Sequence, residues 1–167
     1  MIHGFYTELN YSSLPEDEDF WKAAYKKQWP YMQGLKSFTE NMKAQRLGVD
    51  RVIYLPFGGK LRFDEKKRRR DWGDVLLEYI SNDRTGSPGW IEKPLIIDFI
   101  AYAFMEIRKV YFISFPDLQS AWNKNKKEWK LAYGTKPAKN AGYNTLNCPV
   151  PKEVLRKAVR RFYEVKV

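Results

Sequence analysis

Histidine and cysteine are almost missing from this chain of 167 residues: His3 and Cys148 stand alone. One cysteine excludes an internal disulfide and a thiolate metal cage, and it suits a reducing compartment such as the cytoplasm. One histidine leaves Ser-His and Cys-His catalysis and His-ligated zinc without their base or ligands. Long apolar runs are missing too. The longest, Leu95 to Met105, is broken by Asp98 and is too short to cross a bilayer. No basic-then-apolar leader pattern opens the sequence, so a cytoplasmic protein with no membrane contact is expected. Gly58-Gly59 is only a turn, and no glycine-rich phosphate loop, internal repeat or low-complexity tract occurs. Whatever chemistry the chain performs must run on carboxylates, lysines and water.

Positive charge is plentiful. Thirty Lys and Arg against twenty Asp and Glu give a net charge of +10, which calls for a polyanionic partner, nucleic acid ahead of membrane. Hydrophobic residues at 44% and aromatics at 16% are enough for a packed core, and the length fits one domain, 1–167.

The stretch from Gly48 to Arg68 concentrates the chemistry. Val52 to Leu55 reads as a strand, Pro56-Phe57-Gly58-Gly59 as a turn, and Lys60 to Arg68 as a second strand. Period two puts Asp64 and Lys66 on one face, with Leu61, Phe63 and the stem of Lys67 on the other. Two carboxylates meeting across such a hairpin can hold a divalent cation, and a neighbouring lysine can orient or deprotonate a water, as metal-assisted phosphodiester hydrolysis requires. A solvated cross-strand ion pair has the same Asp-x-Lys appearance.

Spacing sharpens the expectation. Asp50, Asp64 and Glu78 recur at a constant interval. A three-residue loop about Phe57 sets Asp50 opposite Asp64, and a second turn about Asp71 sets Asp64 opposite Glu78. Lys60, Arg62 and the run Lys67, Arg68, Arg69, Arg70 then line the rim as phosphate contacts. Trp90, in Pro88-Gly89-Trp90, is placed either as a stacking platform for bases or as an anchor on the core.

Elsewhere, residues 1–14 read as an arm or short strand. Helices are expected after Pro15, over Gly34 to Leu47, over Pro94 to Ile107, after Pro116 and after Pro151. Asp74 to Ser81 reads as a third strand, central in the sheet, and Val110 to Phe115 as a fourth. The helix after Pro116 turns Lys124, Lys126, Lys127 and Lys130 outward, and Lys126 and Lys127 join the nucleic-acid contacts. Residues 134–151 read as a surface wrap; Tyr143 within them has no assigned chemistry. Asp98, among apolar neighbours, calls for a local bond to Tyr102 or a salt bridge to a basic strand residue. The fold class is α/β (α+β): a central mixed sheet of about four strands, a three-strand meander plus one, flanked by helices in the order αβββαβ.

Asp50, Asp64 and Lys66 on adjacent strands, in this element order, resemble the PD-(D/E)xK nuclease superfamily. The resemblance covers about 36–115, with 116–167 as a helical extension. It implies a metal-dependent endonuclease using Mg²⁺ or Mn²⁺, acting on DNA ahead of RNA, often borne by phages or mobile elements and often a homodimer. It implies metal ligation by Asp64 with Asp50 or Glu78, and a further helical acid, here Glu40. A second threading makes Asp64 the motif Asp and Glu78 the motif Glu, with Lys66 supplying the lysine from the neighbouring strand. Two other classes stay open: a non-catalytic nucleic-acid-binding protein, and a viral protein that binds a host nucleic-acid enzyme.

Overall fold

The computed structural model describes residues 17–167; the arm expected over 1–14, with His3, lies outside them. Two compact units emerge. One comprises Trp72–Lys93 and Leu118–Val159; the other comprises the described residues up to Asp71 with Pro94–Asp117 and Arg160–Val167.

The latter unit is built on a six-stranded mixed sheet, in the order β1 (Gly34–Ser37), β2 (Arg51–Tyr54), β3 (Lys60–Arg68), β6 (Phe99–Phe104), β7 (Lys109–Ser114) and β10 (Phe162–Lys166). Neighbours are antiparallel except β3 and β6, which run parallel from Phe63–Phe99 to Arg68–Phe104. Helix α1 (Asp17–Gln28) carries three acids in its first turn and lysines in its last, each complementing the helix dipole. Its Phe20, Trp21, Ala24 and Tyr25 lie on the sheet face made by Ile53, Phe63, Phe99, Ala101, Ala103, Val110, Phe112 and Val165. The fit is aromatic: Trp29 meets Phe112 at 4.8 Å and Phe63 at 5.2 Å, both edge to face.

Several expected elements differ. Gly34 to Leu47 is not one helix: it splits into β1 and the short α2 (Met42–Arg46), which Asn41 caps by accepting the Ala44 N–H. Gly48 follows α2 with a φ of 76°, and a Cβ there would sit 2.9 Å from Leu95. The run after Pro94 is a strand, β6, buried at all six positions. A strand covered on both faces loses its alternation and reads like a buried helix.

The other unit is a four-stranded antiparallel sheet, in the order β5 (Ser87–Pro88), β4 (Asp74–Asn82), β9 (Asn144–Pro151) and β8 (Lys136–Lys139). Residues 134–151 therefore form a hairpin, not a wrap. Helix α3 (Phe115–Tyr133) buries Leu118, Trp122 and Trp129; Trp122 stacks on Tyr79 at 5.8 Å and donates to Glu92 Oε1 at 2.7 Å. The segment after Pro151 is only the short α4 (Lys152–Ala158) before the chain returns as β10. Instead of one sheet of about four strands there are two, of six and four, because β4 pairs with β9 and leaves β3 to β6. No helix among the described residues is long and apolar enough to cross a membrane.

Candidate acid-pair site on the first hairpin

The β2–β3 hairpin pairs Arg51 with Phe63 and Tyr54 with Lys60, and the Leu55 N–H closes on the Gly59 carbonyl at 2.7 Å. The loop is thus three residues centred on Phe57; the ladder ends at Arg51, and Asp50, in the bend just before it, lies beside Asp64. Backbone bonds fix Asp50 in place. Its N–H donates to the Phe63 carbonyl at 2.8 Å, and its Oδ2 accepts the Glu65 N–H at 2.8 Å. Its carboxyl is close enough to Asp64 to act on that group's charge.

Asp64 is 4% exposed, and Lys66 Nζ donates to its Oδ1 at 2.6 Å. Burial, and then the charge of Asp50, push the Asp64 carboxyl up to about 7 against the pull of Lys66. Near neutrality the Asp64 carboxyl therefore holds its proton part of the time. Oxygen donors of this kind suit a hard divalent ion such as Mg²⁺. Among the described residues no group of three or more His, Cys, Asp and Glu side chains is arranged to hold a metal ion, so the site offers a pair of acids.

This titration has a sign that can be measured. A carboxyl raised from 3.8 to about 7 stabilises the fold below its unfolded pKa and loses that contribution as pH rises through the folded one. Between about pH 5 and pH 8, metal-free wild type is expected to lose roughly 2–3 kcal/mol through Asp64. Urea unfolding in EDTA checks this: Asp64→Asn should lack that part of the slope, and identical slopes would mean that Asp64 ionises normally.

The other expected residues part company. Glu78 is not across from Asp64: it lies on β4, in the four-stranded sheet, opposite Asn147. Glu40 is in an exposed turn before α2 and not on a helix. Lys67 points to the α1 face, its side chain 5% exposed and ion-paired with Asp17, so it is no phosphate contact. Trp90 is the core anchor: it is buried, and the preceding Gly89 passes so close to Glu78 that a Cβ would lie 2.2 Å from its carbonyl oxygen. Lys60 is exposed, Arg62 and Arg68 are half-buried, and Arg69 and Arg70 are exposed beside Glu106 at 3.3 and 3.6 Å. On α3, Lys126 pairs with Glu92 at 3.1 Å and Lys127 is exposed. Asp98 accepts the Arg62 backbone N–H at 2.7 Å, with the Arg62 guanidinium at 3.9 Å, so its partner is the basic strand residue and not a neighbour one turn on.

A neighbouring network was not anticipated. On the opposite face of the same strands, Arg51 is 2% exposed, donating to Glu65 Oε1 at 2.6 Å and to Glu18 Oε1 at 2.7 Å. Tyr25 adds a 3.0 Å bond to Glu65. The available signal was alternation, since Arg51 and Glu65 share the inward face with Ile53 and Phe63.

Comparison with known proteins adds no family. No protein-family model matches the chain, and no curated protein matches its sequence.

Proposed function

We propose that the chain is a metal-dependent nuclease that hydrolyses phosphodiester bonds at the Asp50–Asp64–Lys66 site, with DNA as the first substrate and the cytoplasm as its compartment. One observation carries the reading: two carboxyls, one of them buried, lie side by side at the open end of a hairpin, with a lysine 2.6 Å from the buried one. A protein without use for a cation would gain by separating such acids. Asp50 and Asp64 would hold Mg²⁺, which when bound activates a phosphoryl oxygen and acidifies a coordinated water. Lys66 keeps Asp64 oriented and presents a charge where the attacking water and the phosphate meet. Lys60, Arg62 and Arg68 add positive charge along the same strand, which favours an anionic transition state.

Wild type is expected to nick or cut nucleic acid with Mg²⁺ or Mn²⁺ and to stop when EDTA is added. Failure on duplex, single-stranded and branched substrates with both metals would overturn the reading. A second reading, non-catalytic nucleic-acid binding, is favoured by the Lys66–Asp64 ion pair, which satisfies the acid without a metal. Metal-independent binding without any cleavage would establish it.

A further inference from the structure

The face of the sheet that carries Asp64, with Asp50 beside it, continues toward the hairpin tip. The registers place Lys36, Val52 and Arg62 in the next row, then Gly34, Tyr54 and Lys60. Rows on one face are about 7 Å apart. Lys36 and Lys60 are exposed, and among the described residues neither has an ion-pair partner; Lys36 lies 5.1 Å from the centre of the Phe38 ring. The Arg62 guanidinium reaches Asp98 only at 3.9 Å.

Aromatic rings lie among these cations. Tyr54 is 39% exposed, and Phe57, at the apex of the loop, is fully exposed. Its φ of 60° is in the left-handed region, where glycine sits with less strain. Both the backbone and the water around the ring therefore disfavour phenylalanine here. Its ring faces are open on a turn stiffened by Pro56, as a stacking platform requires.

We infer that this strip binds an unpaired nucleic-acid strand and leads it to the acid pair. Phe57 and Tyr54 stack on bases, and Lys36, Lys60 and Arg62 meet phosphates. The inference rests on the nuclease reading and deepens it by naming a substrate class, a single strand or a single-stranded arm. Rings on a narrow hairpin tip find exposed base faces in unstacked strands, whereas a duplex offers them only at its ends.

Binding can be measured in EDTA, apart from cleavage, by anisotropy of a labelled single strand of about 15 nucleotides and of the matching duplex. Phe57→Gly is expected to weaken single-strand affinity about tenfold, to leave duplex affinity within about twofold, and not to lower the thermal midpoint. Tyr54→Leu should weaken the single strand in the same sense, and Lys60→Ala should reduce the salt slope by about 0.7. Single-strand affinity unchanged in both Phe57→Gly and Tyr54→Leu overturns the inference, as does equal loss on duplex and single strand or a wild type that binds neither. Binding that follows the expected pattern beside absent cleavage would sink only the nuclease reading.

Discussion

Asp64→Asn is expected to lower the single-turnover rate of strand cleavage by at least about a thousandfold, since several kcal/mol of transition-state stabilisation pass through a metal-holding carboxylate. An amide at this position keeps the shape and much of the hydrogen bonding but cannot supply the negative charge that a cation needs. Lys66→Ala is expected to cost about 10²–10⁴-fold, the range for a group that positions or moves a proton. Because both act through the same buried oxygen, 2.6 Å apart, the double variant should be little slower than the worse single one. Substrate binding should survive in all three. The measurement is single-turnover nicking at saturating enzyme, with circular dichroism to confirm folding. Activity of Asp64→Asn within tenfold of wild type would remove the acid pair from the chemistry.

Arg51→Ala should be the most damaging substitution in the hairpin. It would take the cation away from Glu65, whose side chain is 9% exposed, while Glu18 is half-open to water at 42%. Removing one partner of a buried pair typically costs about 3–5 kcal/mol, because the carboxylate left behind is neither solvated nor paired. The combined change Arg51→Met with Glu65→Leu removes both charges and should recover most of that loss, less about 1 kcal/mol for the Tyr25 hydroxyl that loses its acceptor. Urea midpoints at fixed pH would test both. A loss below about 1 kcal/mol for Arg51→Ala would mean that water reaches Glu65 and that the network contributes little.

The hairpin was legible because its determinants are local. Three turn residues fix the register of Arg51 to Tyr54 on Lys60 to Phe63, and Asp50, in the bend just before Arg51, is carried next to Asp64. Glu78 failed on the same logic for a non-local reason. Nothing near Asp74 announces that its strand will pair with β9, some seventy residues later, and not fold back on β3. The parallel β3–β6 contact is equally silent in the sequence, and the run Phe99–Phe104 hides its period by being buried throughout. Lys67 and Trp90 show the limit of reading composition as function. A lysine in a basic run became a buried partner of Asp17, and an indole in a loop became part of the core.

The six-stranded sheet also sets a timetable. Helix α1 is made well before β10, yet its Lys27 donates to the carbonyl of Lys166 at 2.9 Å, 139 residues later, and Val165 belongs to the core it covers. At about 5–20 residues per second, roughly 7–28 s pass between making the two. For that interval Phe20, Trp21 and Tyr25 have only part of their sheet to lie on. The nascent chain is thus a sticky object near the ribosome, and slower synthesis, as in a cold culture, would lengthen that exposure even as it weakens the apolar attraction behind it.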